Sequence, residues 1–291
     1  MQEQSDAVFP FAFESLPVRG EIVQLQSAWR RMQLGHNYAA PVREVLGHAA
    51  AAAGLISQSL KFNGKITLQI SGSERMPMLV MQCTSKLALR GMASAQPEAD
   101  GASFAELTDG ARCAITLDAG RAERRYQGIV EVCGDTLRDS LQNYYARSAQ
   151  IPSHLQLVTD KAHCGGILLQ QMPGGTGLVA DDWRRLGLLA GTLRSEDLAG
   201  GVGPDLLQKL FAEDDIRLYR PRAARFHCQC SQRRAEQVLK LLGETESREV
   251  CAELGRVEVT CEYCGRTRSF DTVDLSRLFA TRALQDSDAL H

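Results

Sequence analysis

The sequence predicts an α+β protein with largely antiparallel sheets, a helical connector and a small cysteine-bearing C-terminal unit. Three observations carry this. Strand-like segments come in runs with few helices between them. Composition breaks at Met172-Pro-Gly-Gly-Thr-Gly177. Five of the nine cysteines fall between residues 228 and 264.

The elements follow in order. Pro41–Leu60 has apolar residues at Val42, Val45, Leu46, Ala49, Ala53 and Ile56, which is helical spacing. Lys65–Ile70 and Met78–Met81 read as strands around the turn Ser71-Gly72-Ser73. Lys86–Met92, Arg112–Leu117 and Tyr126–Val132 continue the set. Asp135–Gln150 reads as a helix, with Asp135 as N-cap and Ile151-Pro152 as its stop. Gln156–Thr159 and Gly166–Met172 are two further strands. Gly174-Gly-Thr-Gly177 lacks the lysine of a phosphate loop and reads as a hinge.

Three parts result: an α/β core domain over 1–177, a helical connector over 178–225 and a small unit over 226–291. The connector has two short amphipathic helices. The first carries Trp183, Leu186, Leu189 and Leu193; the second begins near Pro204 and carries Leu206, Leu207, Leu210 and Phe211. Two readings stay open. The helices are an ordinary packed connector, or a metastable one whose apolar faces can be released. The last part shows a helix after Ser231 ending at Gly243, a β-like run Val257–Thr260 and a final helix after Asp271.

Composition is ordinary for a globular chain, with 44% hydrophobic and 23% charged residues. A net charge of -2 argues against nucleic acid or an anionic membrane as partner. The N-terminus, MQEQSDAVFPFAFESLPVRG, has no basic-then-apolar design. The apolar stretch Val42–Leu60 carries Arg43, Glu44 and His48 and is too short and polar to span a bilayer. The expected compartment is the cytoplasm, where clustered cysteines argue for metal or redox chemistry.

The cluster reads Cys228-Gln-Cys230, thirty residues, then Cys261-Glu-Tyr-Cys264-Gly265. Residues two apart in extended chain project to one face, and a glycine after CxxC tolerates the left-handed turn that lets both sulfurs reach one ion. Four thiolates make a closed tetrahedral zinc site. A unit of this size is marginal alone, and structural zinc contributes on the order of 10 kcal/mol in small domains. His227 is a bystander with four cysteines available, and Cys251 reads as a packing residue. Zinc-held thiolates are also the oxidisable form, so an inert structural ribbon and a redox switch both fit the spacing.

At these residues the chain resembles the redox-regulated 33 kDa chaperonin family of bacterial heat-shock chaperones, whose hallmark is this C-x-C and C-x-x-C pair. Arg125-Tyr-Gln-Gly-Ile-Val130, Gly134-Asp-Thr-Leu137, Gly165-Gly-Ile-Leu-Leu-Gln170 with Met172-Pro173, and Phe226-His-Cys-Gln-Cys-Ser231 look like family segments in family order. The resemblance implies an N-terminal domain of stacked sheets, a helical linker and a C-terminal zinc domain. It implies one zinc per chain and an inactive monomer when reduced. On oxidation it implies disulfides Cys228–Cys230 and Cys261–Cys264, zinc release, unfolding of the small unit and linker, and a homodimer. That form holds unfolding client proteins without ATP and is not an enzyme. The released faces of Trp183, Leu186, Leu189, Leu206, Leu207, Leu210 and Phe211 would then be the client surface. One departure is Ala149, where the family usually has an acid.

Competing readings are a zinc-ribbon binding module without redox switching and a thiol-disulfide oxidoreductase using Cys261 and Cys264. The latter chemistry prefers CxxC at a helix N-terminus, and here it follows a strand. His163-Cys164 reads as a strand edge with a buried cysteine, because strand neighbours point to opposite faces. Cys83, Cys113 and Cys133 read as small core residues. Arg266 and Arg268 read as part of a solvated hairpin.

Overall fold

A computed structural model describes residues 6–59, 64–119, 126–174, 177–200 and 203–288. The chain divides into two units, Met1–Gln33 with Asn37–His227, and Leu34–His36 with Cys228–His291. The hinge expected at 174–177 falls partly outside the described residues.

The larger unit opens with strands β1 (Ala7–Phe13) and β2 (Val18–Leu25), then helices α1 (Ser27–Gln33) and α2 (Ala40–Ser59). Strands β3 (Lys65–Ser71), β4 (Met78–Thr84) and β5 (Ala88–Ser94) follow as a meander. The last begins later than expected because Leu87, at φ 53, makes the turn. Helix α3 (Phe104–Leu107) is closed by a Ser103–Glu106 capping box, and strands β6 (Arg112–Asp118) and β7 (Tyr126–Val130) complete this set.

Helix α4 (Leu137–Tyr144) corrects an expectation: its N-cap is Thr136, not Asp135. Thr136 pairs with Asp139 in a capping box, so the carboxylate three residues on decides the cap. Nor does α4 run as an α-helix to 150. Tyr145–Ala149 form a π turn that ends at Gln150 in the left-handed region, φ 54, as the following Ile151-Pro152 disfavours helix. Strands β8 (Ser153–Thr159) and β9 (Cys164–Gln171) precede helices α5 (Ala180–Gly191), α6 (Asp197–Gly200) and α7 (Gly203–Leu210). Short strands β10 (Ile216–Leu218), β11 (Arg222–Ala223) and β12 (Arg225–Phe226) end the unit.

Two sheets result, ordered β10-β1-β2-β9-β8 with β11 also on β1, and β12-β5-β4-β3-β6-β7. Their pairings are antiparallel except β12 with β5. Helix α2 lies between them, packed on β2, β8 and β9 of the first and on β3, β4 and β5 of the second. Its residues Ala49 to Ala53 are all fully buried, the mark of a helix enclosed on every side. Gly47 against Thr159 and Gly54 against Val23 let that first sheet close on the helix without a Cβ between them.

The first sheet is apolar on both faces. Val8, Val23 and Leu168 face α2, while Phe9, Phe11, Phe13, Ile22, Ile167 and Leu169 face the other way, under α5–α7. Glu21, on β2, is a carboxyl group buried in this sheet. Burial pushes its carboxyl up to about 7, against the pull of Arg19 and Arg222, and its Oε2 has no partner among the described residues. An unfolded Glu21 ionises near 4.5, so folding stability falls as pH rises from about 4.5 to about 7 and stays lowered above that. Glu21→Gln is therefore expected to raise stability at pH 8 by up to about 3 kcal/mol, with no gain at pH 4. Denaturant unfolding at the two pH values checks it.

The smaller unit has helices α8 (Gln232–Leu242) and α9 (Glu244–Leu254), hairpin strands β13 (Val257–Thr260) and β14 (Thr267–Phe270), and α10 (Thr272–Asp288). Its core is small: Ala235, Leu239, Cys251, Val257, Phe270, Leu275 and Phe279.

Candidate metal centre and the covered apolar face

The centre is built from two local structures. Cys228 and Cys230 lie between β12 and Ser231, the N-cap of α8, whose hydroxyl accepts from Arg234 N–H at 3.3 Å. Cys261 and Cys264 lie in the turn joining β13 to β14. Register Thr260 opposite Thr267 fixes that turn. Cys261 N–H donates to Arg266 C=O at 3.0 Å and Gly265 N–H to Cys261 C=O at 2.8 Å. Gly265 takes φ +65, the left-handed conformation expected of the residue after CxxC.

These pieces bring all four sulfurs within 4.8 Å of one another. Cys228 and Cys261 sulfurs are 3.6 Å apart, and those of Cys230 and Cys264 3.4 Å. A Zn–S bond of about 2.3 Å sets tetrahedral sulfur separations near about 3.8 Å, so the four half-buried thiols fit a metal ion. Burial pushes the Cys228 thiol up, and that of Cys264 up to about 12. Burial acts the same way on Cys230, but hydrogen bonds from Cys264, Cys228 and Arg268 outweigh it and draw the thiol down to about 7. The cluster thus favours one thiolate even without a cation, and a soft cation stabilises all four.

Sequence reasoning missed a support of this turn. Residues Leu34–His36 belong to the smaller unit. A Cβ on Gly35 would lie 2.9 Å from the Gly265 Cα, and one on Gly265 2.9 Å from the Leu34 carbonyl oxygen. The His36 ring makes a hydrogen bond to the backbone of Glu262, inside the CxxC. No local pattern marks these residues, since their partner is more than two hundred positions away.

The other cysteines lie elsewhere. Cys83, Cys113 and Cys164 are buried, and burial lifts the Cys83 thiol to about 11 and that of Cys113 to about 12, and raises that of Cys164 well above its ordinary value. Cys133 is half-buried, and Cys251 packs in the small core. His163 contacts Gln26 and Asp160 rather than a thiol.

The apolar residues singled out on the connector are covered in this state. Leu186, Leu206, Leu207, Leu210 and Phe211 are at most 7% exposed, and Trp183 and Leu189 pack partly buried beside them. Phe211 lies 5.2 Å from Phe13 and 6.3 Å from Phe11, ring centre to centre. Polar ties fix the segment further. Arg185 pairs bidentately with Asp214 at 2.8 and 2.7 Å, Lys209 meets Asp197 at 2.6 Å, and Gln24 donates to Leu198 C=O at 2.6 Å.

Fold and centre together define a stacked-sheet α+β protein with a four-cysteine unit suited to zinc. A family model described as Hsp33 protein matches residues 6–271. The 33 kDa chaperonin of Methylobacillus flagellatus is 35% identical over 290 residues, 99% of each chain. That of Nitrosococcus oceani is 38% identical over 274 residues, 94% of each. The crystal structure of the Thermotoga maritima 33 kDa chaperonin superimposes with a TM-score of 0.75 at 21% identity, covering 96% of this chain and 99% of that one. The chain belongs to the Hsp33 family of chaperones. Among the described residues, no helix is long and apolar enough to cross a membrane.

Proposed function

We propose that this chain is a redox-regulated, ATP-independent holdase of the cytoplasm. The observation that carries the reading is the gathering of four oxidisable thiols in a unit whose core, among the described residues, holds seven buried apolar side chains. When bound, one zinc per chain keeps these sulfurs as thiolates and ties the unit together. Two equivalents of peroxide convert four thiolates and four protons into two disulfides and four waters. This removes every donor, and the small unit loses what folds it. We assign the disulfides as Cys228–Cys230 and Cys261–Cys264. This pairing is the one that the resemblance to the family implies. Residues 178–225 then leave the first sheet. Trp183, Leu186, Leu189, Leu206, Leu207, Leu210 and Phe211, together with the phenylalanines of β1, become a surface for unfolded clients. A second copy covers part of it, so the reduced monomer becomes an oxidised homodimer.

The test follows zinc, thiols and client together. Reduced protein treated with peroxide at raised temperature should lose four thiols per zinc released, and should then suppress citrate synthase aggregation. Zinc and four thiols that survive peroxide mark an inert ribbon. So does an oxidised, zinc-free protein no better at suppression than the reduced one.

A further inference from the structure

Residues 178–225 are held to the first sheet by more than apolar packing. On β8, His154 and Gln156 point at the connector. The His154 ring stacks on Trp183 at 4.2 Å between ring centres, and its Nε2 lies 3.1 Å from the Trp183 carbonyl oxygen. A carbonyl only accepts, so Nε2 carries the proton. Any side chain at Gly187 would run into the same ring, so α5 lies directly on it. Gln156 donates to Leu193 C=O and accepts from Arg138 at 3.1 Å.

Two open clefts border this seam. One, of about 230 Å³, is lined by His154, Gln156, Arg138, Asp139 and Gly187. The other, of about 280 Å³, is lined by His48, Arg138, Gln156, Arg194 and Ser195. His48, on α2, is 6% exposed, and no hydrogen bond to its ring is found among the described residues.

The charges facing these rings come from every element around them. His48 meets Glu44 from its own helix, Arg138 and Asp139 from α4, Asp135 across a further cleft, and Arg194 from the connector. His154 meets Arg138 and Asp139. Arg138 is already paired with Asp139 at 2.7 Å, so the carboxylates left beside His48 are Glu44 and Asp135, while the cleft at His154 has none besides Asp139.

We propose that this seam is a proton-operated latch: protonation of His48 and His154 in mild acid frees residues 178–225 without oxidation of any cysteine. The latch rests on the holdase reading only for what the freed segment then does. Burial holds both rings below their ordinary 6.5, His48 at about 4 with Arg138 adding to the effect and Asp139 opposing it, and His154 with its bond to Trp183 opposing. A group whose pKa is depressed in the docked state binds more protons once freed. Docking is therefore unaffected above about pH 7 and weakens as pH falls from about 6.5 toward about 4. Partial recovery of the His48 pKa on release shifts the equilibrium by about tenfold at pH 5.

The experiment uses zinc-loaded, reduced full-length protein, with its nine thiols counted before and after. Limited proteolysis within 178–225 is followed at pH 7.5 and pH 5, each rate normalised to an unfolded substrate at the same pH. Cleavage of the parent is expected to be about tenfold faster at pH 5. His48→Gln with His154→Gln should flatten that ratio to within about twofold. If the double variant fails to fold, His154→Gln alone should still reduce the ratio. No acceleration in the parent, or undiminished acceleration in the folded variants, overturns the latch. A segment freed at pH 5 that leaves citrate synthase aggregation unchanged supports the latch and counts against the holdase reading.

Discussion

Cys264→Ser is expected to lower zinc affinity by about two orders of magnitude and to leave residues 228–288 unfolded at neutral pH, while the larger unit stays folded. Serine is the same size, but its hydroxyl is not ionised and is a harder donor than a thiolate. Structural zinc contributes about 10–16 kcal/mol through four sulfurs, so losing one costs about 3 kcal/mol in binding. The small core has little reserve to absorb that loss: among the described residues it has seven buried members, one of them the cysteine Cys251. The larger unit does not depend on the centre, because its sheets and α2 carry a separate core of some forty buried residues. Chelator competition for zinc, with circular dichroism and protease mapping of the reduced protein, checks both halves. On the proposed function the variant's activity also ceases to depend on peroxide. Unchanged zinc affinity would show that the four sulfurs are not the ligand set.

What the sequence disclosed and what it hid follow from range. The CxC and CxxC pairs were legible because the geometry of a metal turn is local: two cysteines with one residue between them, a turn, a glycine at φ +65. Helix α2 and strands β3, β4 and β6 were legible because burial stamps a period on them. Strands β1 and β2 escaped, although Phe9, Phe11 and Phe13 alternate cleanly. Pro10 sits in their midst, and proline argues against a strand flanked on both sides. Yet β1 has strands on either side, and Pro10 is accommodated because β10 pairs with Phe11–Phe13 and β11 with Ala7 and Val8, so neither ladder calls on the N–H that proline lacks. Strands β10 to β12 are two or three residues long, too short to carry a period, and exist only because β1 and β5 offer edges to pair with. The connector helices showed their apolar faces in the sequence. What those faces cover was not readable, because the phenylalanines of β1 lie about two hundred positions earlier.

Phe211→Ala is expected to free the connector from reduced, zinc-loaded protein. The ring is 1% exposed and wedged against Phe11 and Phe13 just past the end of α7. Truncating a buried phenylalanine costs about 3–5 kcal/mol, and here the loss falls on the apolar face that packs residues 178–225 on the sheet. The ion pairs within the segment do not make up the difference. Lys209 is 71% exposed in its pair with Asp197, and exposed pairs contribute about 0–1 kcal/mol. Arg185 and Asp214 both lie within the connector, so their pair stiffens the segment without tying it to β1. The variant should therefore show protease cuts within 178–225 and dye binding at temperatures where the parent shows neither, with zinc and all thiols retained. On the proposed function it should also suppress citrate synthase aggregation without peroxide. Leu188→Ala on α5, at a side chain 68% exposed, changes apolar content without touching the sheet and should behave like the parent. A reduced Phe211→Ala protein as protease-resistant as the parent would mean that the aromatic wedge does not hold the connector. The switch would then have to act through the polar seam at His154 and Gln156 instead.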